Sequence, residues 1–423
     1  MKKFKKIVGK GHLWLGFGSG LIVLFLGITG CILAFEREIE LVTIPEQFTE
    51  ERDHSFVQPS IIKEKAEAAL PGKHIHGIGY GKPGKSAVVS FYNEDPSYYY
   101  LVYCNPYDGE VLRAKNMDED FFRFIIDGHF YLWLPPAIGQ PVVASATLIF
   151  VLMMITGIIL WWPKNKPAAK QRFTIKWNAK WRRVNYDLHN VFGFYMTWVV
   201  IFIALTGLVW GFQWFSTSVY WITSGGKTMT EFYLPNSDTT RAAKTSEIAI
   251  DVLWARVSNQ YPSAESIEVH VPESDTASIE VAVNPDEQTY WRTDYLYFDQ
   301  YTLEEIPVKH AFGRLSNTSV ADKIMRMNYD LHVGAVGGLP GKVMAFIASL
   351  ICASLPVTGV YIWWGRRMKE KKNQSLVFQT IHRVSTRPLV SFINKYDHRD
   401  RNHDQHRWNI CHHSTFDAIG KSV

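Results

Sequence analysis

Four long stretches without a charged residue set the main constraint on this 423-residue chain. They cover residues 13–35, 128–163, 190–226 and 343–365. A helix needs about 20 apolar residues to cross the hydrocarbon core of a bilayer, so each stretch is long enough for one span. The two longest also leave room for an interfacial turn. The sequence therefore predicts a mainly α-helical membrane protein with four transmembrane helices in a lipid bilayer.

A histidine stands near the start of each stretch, and a Thr-Gly pair follows inside it. The histidines are His12, His129, His189 and His332, and the pairs begin at Thr29, Thr156, Thr206 and Thr358. Histidine and threonine are 17 residues apart in the first and third stretches, and 27 and 26 residues apart in the second and fourth. This repeated spacing predicts a duplicated two-helix unit.

Lysine and arginine are concentrated in residues 1–12, in residues 164–188 and in the segment that follows residue 365. Cytoplasmic loops carry an excess of these residues, which predicts cytoplasmic N- and C-termini and two external segments, 36–127 and 227–331. The net charge of +5 then reflects membrane topology, and we expect no nucleic-acid partner. A signal peptide is a weaker interpretation of the first stretch, because the stretch is long for one and its Thr-Gly pair recurs in the other three.

The two external segments have the same order of predicted elements. In the first, a helix at residues 59–70 precedes strands at 87–92 and 98–103; in the second, a helix at 247–260 precedes strands at 267–271, 278–283 and 290–299. One helix packed on a small antiparallel sheet is the economical fold for each, which gives two small α+β modules.

The predicted boundaries follow the chain from end to end. They are 1–12 (cytoplasmic N-terminus), 13–35 (first span), 36–127 (first external module), 128–163 (interfacial turn and second span), 164–188 (basic cytoplasmic loop), 189–226 (third span), 227–331 (second external module), 332–365 (interfacial turn and fourth span) and 366–423 (cytoplasmic tail). The tail is rich in histidine, but no Cys/His spacing in it matches a closed metal site, so a partly disordered end is preferred.

Topology places the histidines at two depths. Seventeen residues of helix rise roughly 25 Å, so the Thr-Gly pair of one helix reaches the level of the histidines at the opposite membrane edge. Each level is predicted to contain two histidines and two glycines: His12, His189, Gly157 and Gly359 at the cytoplasmic edge, and His129, His332, Gly30 and Gly207 at the external edge.

Two imidazoles at one level form a ligand set for haem. A single histidine at a membrane edge is more often structural, but four in two depth-matched pairs favour ligation. Glycine lets a flat macrocycle approach the backbone, whereas zinc and copper usually have a third ligand that these pairs lack. No Cys-x-x-Cys-His motif occurs, so we predict two non-covalent haem groups with the four histidines as axial iron ligands and no catalytic residue beyond the haems.

The motif Asn-Tyr-Asp-Leu-His occurs twice, at residues 185–189 and 328–332. Its aspartate either orients groups beside the ligand or caps the helix, and the sequence leaves both open. Four arginines near the two levels are candidates to neutralise haem propionates: Arg123, Arg182, Arg183 and Arg326.

With its paired histidines, Thr-Gly pairs and Tyr-Asp-Leu-His motifs, the chain resembles the PepSY-associated transmembrane family over about residues 5–370. The Asp-Gly-Glu-Val-Leu sequence at 108–112 resembles the end of a PepSY module. The resemblance implies a bacterial inner-membrane protein that reduces ferric siderophores in the periplasm through two b-type haems held by His12, His189, His129 and His332. The tail has no room for the flavin and nicotinamide reductase domain that some relatives carry, so the electron donor is expected to be a separate flavoprotein or a quinol.

The sequence leaves three functions open. Transmembrane electron transfer to an Fe(III) chelate uses all four histidines. A non-enzymatic PepSY protein that restrains a periplasmic protease or cell-wall enzyme needs only an anchor. An iron or chelate transporter is disfavoured because the spans contain no acidic residue, although a homodimer would offer a further path.

Overall fold

Four helices of the computed structural model are long and apolar enough to cross a membrane, as predicted. These candidate spans are Lys3–Leu33, Pro136–Trp161, Trp181–Gly211 and Ala335–Leu376. The structure describes residues 2–163, 165–241 and 248–385. The chain is thus mainly helical, with one antiparallel sheet formed by the polar segments between the spans.

The chain can be described in two runs, each with a group of strands between groups of helices. The first run is α1 (Lys2–Leu33), α2 (Glu36–Thr43), α3 (Pro59–Ala69), β1 (Ile75–Gly81), β2 (Ala87–Glu94), β3 (Ser97–Cys104), β4 (Val111–Asn116), α4 (Phe121–Tyr131) and α5 (Pro136–Trp161). The second is α6 (Lys166–Arg172), α7 (Trp181–Gly211), α8 (Gln213–Thr223), α9 (Ala249–Gln260), β5 (Ser266–His270), β6 (Ile279–Asn284), β7 (Asp294–Phe298), α10 (Val320–Arg326), α11 (Asn328–His332) and α12 (Gly338–Ser385).

A second unit of the chain begins at Trp364. This unit is described as far as Ser385 and is helical up to that residue. The predicted histidine-rich end from His398 onward lies outside the described residues.

Two of the four histidines lie on short helices that precede the spans rather than at the start of the spans. His129 belongs to α4, and the left-handed residues Leu132 and Trp133, with φ of 56° and 57°, reverse the chain before α5 begins. His332 is the last residue of α11, and Gly334, with φ of 80°, allows the turn into α12. These turns account for the longer histidine-to-threonine spacing of the second and fourth stretches.

The two predicted modules share a single sheet. Its strand order is β4-β3-β2-β1-β5-β6-β7, and all pairs are antiparallel. The sequence did not predict β1, which contains three glycines and nevertheless pairs with β5 from Gly77–His270 to Gly81–Ser266. Two separate sheets were expected, so this central pairing corrects the prediction.

One face of the sheet is covered by α3 and α9. Ile62 and Ala66 of α3 and Leu253 and Val257 of α9 are fully buried against it. Asp251 of α9 accepts hydrogen bonds from the backbone nitrogen and hydroxyl of Ser60, at 2.8 and 2.6 Å. The helix of each segment is therefore fixed to the other as well as to the sheet.

The spanning helices approach closely where small residues face each other. A β-carbon added to Gly27 of α1 would lie 2.8 Å from the carbonyl oxygen of Ser349 and 2.9 Å from Cβ of Ala353 in α12. Membrane helices pack through such small residues because lipid offers no hydrophobic driving force for association. This contact fixes α1 against α12, each of which carries a Thr-Gly pair.

Candidate functional site

Each of the four histidines is hydrogen-bonded to the threonine of a Thr-Gly pair on another helix. The Nδ1–Oγ1 distances are 2.9 Å for His12–Thr156, 2.7 Å for His129–Thr29, 2.9 Å for His189–Thr358 and 3.0 Å for His332–Thr206. The predicted matching of histidines and Thr-Gly pairs in depth is therefore present in the structure. Sequence reasoning used the threonines only as markers and missed their role, although each directly precedes a glycine.

These threonine hydroxyls determine which ring nitrogen carries the proton. The hydroxyl of Thr29 lies 3.0 and 3.2 Å from the carbonyl oxygens of Phe25 and Leu26, one turn back in its own helix. Since a hydroxyl has one proton and that proton points to a carbonyl, the oxygen accepts from His129. The same pattern holds for the other three threonines. The hydrogen-bond network thus assigns the ring proton of each histidine to Nδ1, so the lone pair, which is the group that ligates a metal, is on Nε2.

The glycine of each pair gives the imidazole room. A β-carbon added to Gly207 or Gly359 would lie 3.4 Å from Cε1 of His332 or His189. The corresponding distances are 3.6 Å from Gly157 to His12 and 3.7 Å from Gly30 to His129. The predicted close approach at these glycines is thus made by the histidine ring itself.

An asparagine strengthens the contact in the second half of the chain. Asn328 donates from Nδ2 to the backbone carbonyl of Thr206 at 3.1 Å, and Asn185 donates to that of Thr358 at 3.1 Å. Asparagine and histidine stand four residues apart on one helix face, so both reach the same threonine. This explains the first and last positions of the repeated Asn-Tyr-Asp-Leu-His motif.

His129 and His332 lie together at the end of the spans that is next to the sheet. Their ring centroids are 6.2 Å apart, with 74° between the ring planes. Two imidazoles on opposite sides of one metal atom have centroids about 6 Å apart, because each metal–nitrogen bond is about 2 Å long. The separation of this pair therefore suits one metal-centred group held between them.

His12 and His189 lie toward the other end of the spans. Five residues beyond them, Phe17 contacts Trp363 edge-on at 5.1 Å, and Phe194 stacks on Trp161 at 3.7 Å. These aromatic contacts pack α1 against α12 and α7 against α5 just inside the level of the two histidines.

The PepSY-associated TM region matches residues 10–366 of the chain, a range that contains all four histidines. The chain belongs to the PepSY-associated transmembrane family. No curated protein matches the sequence. Membership confirms the resemblance found in the motifs and identifies a membrane protein. Within residues 2–163, 165–241 and 248–385, no group of three or more His, Cys, Asp or Glu side chains is arranged to hold a metal ion.

The aspartate of the repeated motif in this PepSY-associated chain fixes loops rather than ligands. Asp330 is fully buried and accepts from the backbone nitrogens of Tyr290 and Trp291, at distances of 2.9–3.1 Å. Asp187 accepts from Arg183 Nε at 2.9 Å and from the backbone nitrogen of Lys176 at 3.3 Å. Neither aspartate is the N-cap of its helix.

Among the four arginines considered for propionate binding, Arg326 has another role. It is buried, and it donates to the carbonyl oxygens of Ala311, Gly313 and Thr293. Arg183 is paired with Asp187, Arg182 is exposed, and Arg123 lies over the Tyr99 ring at 5.4 Å.

A cavity of about 200 Å³ opens beside the helix face that carries His189. It is lined by Gln171, Arg172, Arg183, Tyr186, Asp187, Asn190 and Val191. Two arginines against one ion-paired aspartate give this cavity a positive lining.

Glu268 of β5 and Tyr290 belong to a group of partly exposed side chains beside the uncovered face of the sheet. Glu268 keeps 42% of its side-chain surface accessible, yet burial by surrounding protein raises the pKa of its carboxyl. Tyr290 is 57% exposed, and burial likewise raises the pKa of its phenol. Tyr99 interacts electrostatically with Glu268 and Tyr290, and Tyr290 and Tyr329 both interact with Glu36. We call the surface formed by Glu268, Tyr99, Tyr290, Tyr329 and Glu36 the cleft.

Aromatic contacts connect this cleft to His332. The rings of Tyr290 and Tyr329 are 5.4 Å apart, Tyr329 is 6.3 Å from Trp210, and Trp210 is 5.3 Å from His332. A molecule in the cleft would therefore lie a few side chains away from His332.

Proposed function

We propose that this protein transfers single electrons across a membrane through two b-type haems to an Fe(III) chelate, above all a ferric siderophore. His12 and His189 would hold the inner haem, and His129 and His332 the outer one. The observation that carries the proposal is the histidine–threonine bond, present four times, which places the ring proton on Nδ1 and the lone pair on Nε2.

The outer pair supports a haem rather than a bare ion. His129 and His332 would hold the haem, since their ring centroids are 6.2 Å apart and the two glycines leave the rings uncrowded. A haem bound there would supply one-electron chemistry. The protein's contribution is to fix ring orientation, tautomer and burial.

Charge distribution supports an orientation. The basic segments 1–12 and 164–188 and the basic start of the tail favour the cytoplasm, which would place the sheet and its cleft in the periplasm of a bacterial inner membrane. The matching histidine, Thr-Gly and helix–strand order of the two halves supports a duplicated unit with two external modules.

The cleft supports an acceptor bound beside the outer pair. Tyrosine rings offer broad contact surface together with hydroxyl groups, as a bulky polar chelate requires. Reduction of Fe(III) to Fe(II) weakens its bonds to hard oxygen ligands, so iron would be released there. The donor, a quinol or a flavoprotein, would approach the other end, where Arg172 and Arg183 line the positive cavity.

The test is spectroscopic and uses the purified full-length protein. A pyridine haemochrome assay and a reduced-minus-oxidised spectrum are expected to give two b-type haems with low-spin bis-histidine ligation. His332→Ala should remove about half of the haem, and His189→Ala together with His332→Ala should remove nearly all of it. His74→Ala is the control, because this exposed histidine lies outside both pairs. Absence of haem b in the wild type, or full haem retention in the double variant, would exclude the proposal.

A further inference from the structure

Glu36 is an acid without a counter-ion at the edge of the cleft. It is the first residue of α2, two helical turns beyond Thr29, whose hydroxyl contacts His129. Among the described residues, the Glu36 carboxyl has no hydrogen-bond or ion-pair partner. Glu36 interacts electrostatically with Tyr290 and Tyr329, and ring contacts through Trp210 link Tyr329 to His332.

The cations around Glu36 are engaged elsewhere. Lys115 is bonded to Asp120 at 2.7 Å and to Glu40 at 3.2 Å. Arg37, the next residue in the chain, is bonded to Glu287 at 3.1 Å. Arg123 lies over the Tyr99 ring. The carboxylates of Asp120, Glu40 and Glu287 therefore each have a cationic partner. Among the described residues, the Glu36 carboxyl has none.

The groups that face Glu36 come from every element around it: Glu40 of α2, Lys115 of β4, Asp120 and Arg123 at the start of α4, Tyr290 of the loop before β7, and Tyr329 of α11. Burial, followed by the charges of Glu40 and Asp120, raises the pKa of Glu36 to about 7. About half of the Glu36 side chains therefore carry a proton at neutral pH, and nearly all do so one unit lower.

We propose that Glu36 is the proton donor to the chelate in the cleft, a step that rests on the proposed electron transfer. An electron supplied through the outer histidine pair reduces Fe(III) to Fe(II), and an iron–oxygen bond of the chelate breaks. The bonding pair stays on the chelator oxygen, which takes the proton from the Glu36 carboxyl. The carboxylate left behind is reprotonated by water that reaches the cleft. Protonation prevents the oxygen from binding iron again, so electron arrival and iron release become one event.

The first measurement needs neither haem nor chelate. In an infrared pH titration of the whole protein, a protonated-carboxyl band should disappear with a midpoint near about pH 7, and Glu36→Gln should lack this band. Glu64→Gln, which changes an exposed glutamate on α3, should retain it. A titration that is the same in Glu36→Gln and in the wild type would overturn the proposal.

The second measurement is the rate at which pre-reduced protein reduces a ferric chelate. Several ferric chelates are first tested on the wild type, and one that it reduces is used. Wild-type rates should be constant below about pH 7 and fall about tenfold per pH unit above it. Glu36→Gln should be about 100-fold slower and independent of pH, Glu36→Asp should recover part of the rate, and the haem spectrum should stay unchanged. If Glu36→Gln instead weakens binding of the redox-inert gallium chelate by the same factor, Glu36 is a docking charge and the proposal is wrong. If no chelate is reduced by the wild type, the proposed function fails, while the infrared titration still decides the state of Glu36.

Discussion

Replacing Thr29 by valine removes the hydroxyl that accepts the Nδ1 proton of His129 and changes little else. Valine has nearly the same shape as threonine, and Thr29 is 3% exposed, so water cannot replace the lost acceptor. A buried donor left without a partner costs about 1–3 kcal/mol. That cost corresponds to roughly 5- to 150-fold weaker binding of any group that requires this histidine in its present orientation and tautomer. The range includes the roughly 10- to 100-fold typical of lost outer-shell partners.

A matched variant sharpens the prediction. Thr206→Val removes the corresponding hydroxyl from His332, but the carbonyl oxygen of Ile203 remains 3.0 Å from the same Nδ1. We therefore expect Thr206→Val to weaken haem binding by a smaller factor than Thr29→Val. Thr197→Val is the control, because this buried hydroxyl donates to the carbonyl of Gly193 in its own helix and, among the described residues, bonds no histidine.

The assay is transfer of haem from each purified variant to excess apomyoglobin, followed by absorbance. Loss of haem from the outer pair should be fastest in Thr29→Val, intermediate in Thr206→Val and unchanged in Thr197→Val. Equal loss in Thr29→Val and Thr197→Val would refute the role assigned to the hydroxyl. Equal loss in the two histidine-linked variants would refute the compensation by the Ile203 carbonyl.

Three further predictions concern stability in detergent, measured as the midpoint of thermal unfolding. Gly27→Ala should lower it, at a cost of about 1–3 kcal/mol, because the added carbon would meet the backbone of α12, whereas Gly18→Ala, with nothing within 4 Å, should leave it unchanged. Asn328→Ala should cost about 1 kcal/mol by removing one hydrogen bond between α11 and α7, and an unchanged midpoint would argue against that bond. Asp251→Ala should lower the midpoint by freeing α9 from Ser60, and Ser60→Ala should reproduce part of the loss if this contact is the cause.

Much of the arrangement could be predicted from the sequence because helix geometry is regular. A constant rise per residue converts the spacing between His12 and Thr29 into depth, so the two levels follow from counting residues. The hydrogen bond between histidine and threonine could not be predicted in this way, because it depends on how the helices are rotated. In retrospect the signal was present, since each of the four glycines directly follows a threonine.

The central strand pairing could not be predicted for a different reason. Alternating glycines in residues 77–81 look like a turn, since glycine is depleted in strands. The strand forms because β2 and β5 supply hydrogen-bond partners on both sides, and that information lies far away in the chain. The positions of His129 and His332 on separate short helices likewise depend on turns at Leu132 and Gly334.

The pairing of β1 with β5 has a consequence for how the chain is made. Roughly 185 residues separate Gly81 from Ser266. At synthesis rates of about 5–20 residues per second, the β1 edge would wait about 10–40 s before its partner is translated. During that time two further spans must be inserted, while an unpaired edge stands ready to join another chain. Biogenesis of this protein should therefore depend on a factor that shields a nascent strand, and a truncated first half should aggregate unless the second half is co-expressed with it.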